Sequence, residues 1–143
     1  DGQAPVRRKI ETETLVSIEG VRILAADDNQ TNRRLLESAL GRRGAICTIA
    51  HNGREAVDEW APGKFDVMVL DISMPIMDGV AALTEIRARE AAAGVTPLPA
   101  IAFTANAMSH HVIEYLSNGF DTHVAKPFKA ADLVTAIATL ARK

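Results

Sequence analysis

From Val21 onward, short apolar runs alternate with stretches of helical periodicity. Val21–Ala26 is apolar enough for a buried strand and stops at Asp27-Asp28-Asn29. Thr31–Arg43 puts Leu35, Leu36, Ala39 and Leu40 on one helical stripe, with Gly44 as the terminator. Ile46–Ala50 reads as a second strand. Asn52 caps a helix running to about Ala61, which Pro62-Gly63 stops. Phe65–Leu70 is a third strand ending at Asp71, and a loop containing Pro75 leads on to Gly79. Val80–Ala92 is helical with Leu83 and Ile86 inward. Pro97-Leu98-Pro99 then breaks the chain before a fourth strand, Ala100–Phe103, that ends at Thr104. Ser109–Asn118 is a helix closed by Gly119, and Thr122–Ala125 a short fifth strand ending at Lys126-Pro127. Ala130–Ala141 is a last helix, with Leu133, Ile137 and Leu140 on its apolar side.

Strands that alternate with helices in this way predict right-handed crossovers and an α/β fold: a doubly wound, mostly parallel five-stranded sheet covered on both faces by five helices. In such sheets, sites form beyond the carboxyl ends of the strands. Strand 1 ends in Asp27 and Asp28, strand 3 in Asp71, strand 4 in Thr104 and strand 5 in Lys126, so the reactive side chains converge on one rim.

The first twenty residues read differently. Pro5 and a basic triplet, Arg7, Arg8 and Lys9, precede an acid-and-threonine stretch, which predicts a linker tail over 1–20 and a domain over 21–143. Ile10, Leu15, Val16 and Ile18 leave room for a short docked segment. The chain opens Asp-Gly-Gln rather than with Met or a signal peptide, which predicts a piece cut from something longer.

Composition narrows the function classes. A chain of 143 residues with 48% apolar content fits one folded domain, and 4% aromatics predict a core of Ala, Val, Leu and Ile. A net charge of −2 excludes the broad basic surface that a nucleic-acid partner needs. Cys47 alone makes neither an internal disulfide nor a cysteine zinc site, in keeping with a reducing compartment. No apolar run approaches the ~20 residues of a membrane span. The expectation is a cytoplasmic domain without membrane contact of its own, whatever anchors the parent chain.

Three carboxylates on one rim repel each other and raise each other's pKa unless a cation joins them. Hard oxygen ligands without His or Cys favour Mg²⁺, which keeps water positions open for a phosphoryl substrate. Lys126 then offers a point charge for a phosphate oxygen and Thr104 a neutral hydroxyl. Together these parts make an aspartyl-phosphate site, with Asp71, alone at the end of the central apolar strand, as the nucleophile.

Four segments also carry a resemblance: Ile23-Leu24-Ala25-Ala26-Asp27-Asp28-Asn29, Leu70-Asp71-Ile72-Ser73-Met74-Pro75-Ile76-Met77-Asp78-Gly79, Phe103-Thr104-Ala105 and Lys126-Pro127-Phe128. In order and spacing they resemble the receiver domain of two-component response regulators, over about Val21 to Leu140. The resemblance implies a flavodoxin-like strand order 2-1-3-4-5 and phosphoryl transfer to Asp71 from a histidine kinase or histidine phosphotransfer domain. It implies Mg²⁺ bound by Asp28, Asp71 and the backbone carbonyl of Ser73, with Asp27 acting through a metal-bound water. Lys126 would contact the phosphoryl oxygens, and the Lys126–Pro127 bond is a candidate cis peptide. Thr104 would swing toward the phosphoryl group in concert with the switch position three residues before Lys126. That position is His123, where the family more often has Tyr or Phe. Ser73 and Asn106 would flank the path of hydrolytic water and tune self-dephosphorylation.

Asp28-Asn29-Gln30-Thr31-Asn32-Arg33 resembles receivers fused to sensor histidine kinases, which makes a hybrid kinase the expected parent. The face built by the fourth helix, fifth strand and fifth helix, with His111, Tyr115, His123 and Phe128 along or near it, is the expected output surface, meeting a kinase core, another receiver or a phosphotransfer domain. Two rival chemistries lack their signatures. An aspartate-dependent phosphatase wants a second Asp where Ser73 stands, and the glycine-rich phosphate loops of nucleotide binders are missing. A phosphate-independent pseudo-receiver, acting as an interaction or autoinhibitory module, is the remaining alternative. Such modules lose the acceptor, the acidic pair or the lysine, all kept here. His110 and His111, neighbours on a helix, are expected to diverge and make a poor metal pair.

Overall fold

The computed structural model describes residues 17–105 and 108–141. Most of the expected tail, and Asn106, lie outside the described residues. Five strands, β1 (Arg22–Ala26), β2 (Ile46–Ala50), β3 (Val67–Asp71), β4 (Ala100–Thr104) and β5 (Thr122–Ala125), form one parallel sheet in the order β2-β1-β3-β4-β5. Five helices alternate with them: α1 (Gln30–Gly41), α2 (Gly53–Glu59), α3 (Gly79–Ala93), α4 (Ser109–Ser117) and α5 (Ala130–Ala141). The doubly wound α/β architecture and strand order are those expected from the sequence.

The apolar strands divide their side chains between two cores, because successive residues of a strand face opposite ways. Leu24, Met68, Leu70 and Ala102 join Ala56 and Val57 of α2, Leu83 and Ile86 of α3, and Tyr115 of α4. Ile23, Ala25, Val69, Ile101 and Phe103 join Leu36 and Leu40 of α1, and Leu133 and Ile137 of α5. Both cores use nearly the same apolar vocabulary, which is why the central strands read as unbroken hydrophobic runs.

Helix starts follow local capping chemistry. Asn29 Oδ1 accepts from the Asn32 amide at 3.0 Å, Asn52 Oδ1 from Glu55 at 2.9 Å and Asp78 Oδ1 from Ala81 at 2.8 Å. Gly94 ends α3 at φ +69°, a conformation in which a side chain would be strained. α3 therefore runs one residue past the expected Ala92.

Three expectations need correction. Leu35 is not on the inner stripe of α1; it is 50% exposed, because neighbours on a helix lie about 100° apart and Leu36 takes the inward place. β3 begins at Val67, not Phe65, since Asp66 is held at the sheet edge by the Arg22 guanidinium (Nη2–Oδ1 3.0 Å, Nε–Oδ2 3.2 Å). His110 and His111 do not diverge; their ring centroids are 4.0 Å apart. On the N-terminal side, Ile18 is fully buried in the α1–α5 core, and the Gly20 amide donates to Gly44 O at 2.9 Å.

Candidate functional site

Sheet hydrogen bonds carry on past the strand ends and so fix the rim. The Asp27 amide donates to Ala50 O at 3.1 Å, Ile72 to Phe103 O at 3.1 Å and Lys126 to Thr104 O at 2.8 Å. At the carboxyl edge Asp28, Asp71, Thr104 and Lys126 line a cleft of about 740 Å³ whose wall on the α4 side includes His111, Glu114 and Tyr115, and buried Asp27 reaches it through Lys126. Carboxylate oxygens of Asp27, Asp28 and Asp71 all lie within 4.8 Å of one another. Asp27 and Asp71 are buried, at 0% and 2% exposure, whereas Asp28 faces solvent.

Lys126 Nζ stands 2.9 Å from Asp71 Oδ2 and 3.1 Å from Asp27 Oδ2, and 5.0 Å from the centre of the Phe103 ring. The contact to Asp71 is one of charge rather than a directed hydrogen bond, so buried Asp71 Oδ2 has no directed donor among the described residues. The other oxygen, Oδ1, accepts from the Ser73 amide at 3.1 Å. Burial pushes the Asp71 carboxyl up to about 6, with the Lys126 ammonium pulling down and the Asp27 charge pushing up. Burial works against the Lys126 charge too, but its carboxylate partners outweigh burial and hold its pKa above the usual lysine value.

Asp27 has a further cradle. Its Oδ1 accepts from the Asn29 amide at 2.9 Å, its carboxylate faces Asn32 Nδ2 at 3.3 and 3.5 Å, and its carbonyl accepts from Arg33 Nη1 at 3.1 Å. The Asn29, Asn32 and Arg33 pattern visible in the sequence thus holds the acidic loop as well as starting α1. An all-oxygen donor set, one member solvent-facing and one buried oxygen without a directed donor, fits a hard divalent cation better than zinc or copper.

The loop after Asp71 is held close by two glycines. A Cβ on Gly79 would collide with the Asp71 carbonyl oxygen, and one on Gly53 with the Met77 carbonyl oxygen. Gly79 also donates to Ile72 O at 3.1 Å. Gly79→Ala will therefore destabilise the fold by about 1.5 kcal/mol through forced displacement of the Asp71 backbone. A urea unfolding curve checks this; an unchanged midpoint would contradict it. Ile76 in the same loop has φ +70° and is 81% exposed.

Thr104, 3% exposed, places its Oγ1 3.1 Å from the Tyr115 hydroxyl. His123 is half-buried on β5, where it pairs in register with Ala102, while Thr104 pairs with Ala125. Tyr115, expected along or near the output face, is 4% exposed and turned into the cleft. The three-residue spacing of Val112 and Tyr115 puts them on one face of α4, where Val112 is half-buried and Tyr115 buried. The Lys126–Pro127 peptide bond is cis.

Comparison with known proteins agrees with this geometry. The family model for the response regulator receiver domain matches residues 23–138. The sensor histidine kinase GacS of Pseudomonas protegens is 33% identical over 133 residues, covering 93% of this chain but 14% of that protein. The peroxide stress-activated histidine kinase mak1 of Schizosaccharomyces pombe is 33% identical over 131 residues, covering 87% of this chain and 8% of the kinase. The chain thus spans a small fraction of these relatives. The crystal structure of the receiver domain of sensor histidine kinase PA1611 from Pseudomonas aeruginosa, with a magnesium ion in its active site cleft, matches at TM-score 0.76 and 33% identity, covering 87% of this chain and 99% of that one. The receiver of Saccharomyces cerevisiae Ssk1, solved together with the histidine phosphotransfer protein Ypd1, matches at TM-score 0.82 and 25% identity, covering 87% and 91%. In motif, strand order and sequence likeness, the chain belongs to the response regulator receiver domain family.

Proposed function

We propose that the chain accepts a phosphoryl group from a phosphohistidine onto Asp71, as the receiver of a hybrid histidine kinase. The observation that carries the reading is the placement of Asp71: a 2%-exposed carboxylate at the end of the central strand, 2.9 Å from the Lys126 ammonium and beside two further carboxylates. An Asp71 carboxylate oxygen attacks phosphorus, the P–N bond of the donor breaks, and the imidazole leaves with the electron pair and takes up a proton. Ser73 holds Asp71 Oδ1 in place through its amide, 3.1 Å away. Lys126 neutralises charge on the phosphoryl oxygens, and the Thr104 hydroxyl donates to one of them. Asp28, Asp71 and the Ser73 carbonyl would hold Mg²⁺, with Asp27 acting through a bound water, and the ion would supply further charge neutralisation. Little covalent work is left to the protein beyond positioning and charge.

The partner follows from the chemistry: a protein that presents a phosphohistidine, either the kinase itself or a histidine phosphotransfer domain. The Ypd1–Ssk1 complex supports the second source, and the kinases among the relatives support the hybrid parent. The reading puts the domain in the cytoplasm; among the described residues no helix is long and apolar enough to cross a membrane. The face formed by α4, β5 and α5 is its output surface.

Incubation with acetyl phosphate and Mg²⁺ tests the acceptor. Intact-mass spectrometry is expected to show one added phosphoryl group, which does not form when Mg²⁺ is chelated beforehand and is missing from Asp71→Asn. No adduct on the wild-type chain would favour the phosphate-independent pseudo-receiver, and an adduct that survives in Asp71→Asn would move the acceptor elsewhere.

A further inference from the structure

The hydrogen bond between Thr104 and Tyr115 joins the site to α4, a helix that supplies none of its three clustered carboxylates and not its lysine. Both residues are buried, and either hydroxyl can be the donor across the 3.1 Å between them. A phosphoryl group on Asp71 removes that freedom. Its oxygens only accept, and Thr104 has a single O–H proton. Once Thr104 donates to the phosphoryl group, its bond to Tyr115 persists only with Tyr115 as the donor. We infer that Tyr115 is a positioning residue for phosphoryl binding: its hydroxyl, donating to Thr104 Oγ1, aims the Thr104 proton at the group on Asp71 and carries the occupancy of the site into α4.

The inference rests on the phosphoacceptor reading of Asp71 but assigns a different partner to Thr104 than the sequence suggests. His123, the expected partner, lines a separate depression with Pro127, Lys129 and Asp132, whereas Tyr115 lines the cleft that contains Asp71, Thr104 and Lys126. The Tyr115 ring belongs to the core built around Leu83 and Ile86, so its body is fixed while its polar tip reaches the site. Its backbone carbonyl accepts from the Asn118 amide at 3.1 Å and the Phe120 amide at 3.2 Å, tying the side chain to the end of α4 and the approach to β5. One turn earlier, His111 stacks on the tyrosine with ring centroids 6.4 Å apart and lines the same cleft. These contacts give the Tyr115 hydroxyl a route into the α4 wall.

The chain has a single tyrosine, so ring-labelled tyrosine gives one spin system to follow by NMR. Beryllofluoride with Mg²⁺ serves as the phosphoryl mimic, and the Ser73 amide beside Asp71 reports its binding. At saturating mimic, the Tyr115 ring signals are expected to move in the wild type and in Thr104→Ser, and to stay in Thr104→Val. The Ser73 amide is expected to shift in all three. Tyr115→Phe keeps the ring in the core and is expected to weaken mimic binding about threefold, the effect of one neutral hydrogen bond. Combined with Thr104→Val it should add no further loss, as expected of two groups acting as one unit. Tyr115 signals that stay put while Ser73 shifts, or that move equally in Thr104→Val, overturn the inference, as does movement of His123 with Tyr115 still. A Ser73 amide that never responds overturns the phosphoacceptor reading itself, and the inference falls with it.

Discussion

Replacing Lys126 with Met will destabilise the metal-free protein by about 3 kcal/mol at neutral pH, the usual cost of removing one partner from a buried charge pair. The ammonium lies 2.9 Å from one buried carboxylate and 3.1 Å from another, and without it Asp27 and Asp71 face each other in a poorly hydrated corner. Methionine is an unbranched side chain of similar length that lacks the ammonium, which stands 5.0 Å from the centre of the Phe103 ring, so the loss reports charge. The loss should shrink in acid, where one carboxyl takes up a proton and the repulsion disappears. It should also shrink on adding Mg²⁺, which replaces the missing positive charge. Urea unfolding in chelator and in Mg²⁺, at neutral and acidic pH, checks each part. A neutral-pH loss below about 1 kcal/mol, the range of an exposed ion pair, would contradict the account.

The opposite sign is expected at the acceptor. Asp71→Asn will stabilise the metal-free protein by about 2 kcal/mol above pH 6, because the folded chain holds the Asp71 carboxyl at about 6, above its ordinary value of 3.8. A group whose pKa rises on folding binds its proton more tightly in the folded state. Its favourable contribution is complete below about pH 4 and lost as pH climbs through 6, so ionised Asp71 is a burden at neutral pH. Asparagine removes that burden, keeps an oxygen for the Ser73 amide and leaves Lys126 its contact with Asp27. The thermal midpoint should rise by roughly 5–10 °C at pH 7 and by little at pH 4. A variant no more stable than wild type at pH 7, or equally stabilised at both pH values, would contradict the shift.

These two substitutions concern residues that were legible from the sequence. Asp27, Asp28, Asp71, Thr104 and Lys126 each follow an apolar run, and in a parallel sheet the carboxyl ends of strands share one edge. The alternation of strands and helices was legible for the same reason. What periodicity could not supply was the choice between neighbours. Leu35 and Leu36 are equally apolar, and only the packed helix decides that Leu36 is buried and Leu35 half exposed. The strands buried on both faces hide which residue joins which core. The start of β3 depended on the long-range grip of Arg22 on Asp66, which no local window contains. Tyr115 was visible as an aromatic on α4, but its aim at Thr104 is a tertiary fact. His123, singled out by its distance from Lys126 along the chain, lies on β5 in register with Ala102.

The central claim is that Asp71 takes a phosphoryl group from histidine. It is tested most directly by mixing a purified histidine phosphotransfer domain, radiolabelled on its phosphohistidine, with this chain in Mg²⁺ and mapping the labelled residue. The account predicts loss of label from the donor matched by gain on Asp71, with no transfer to Asp71→Asn and none in chelator. Label that appears on another residue, or passes equally to Asp71→Asn, would contradict it.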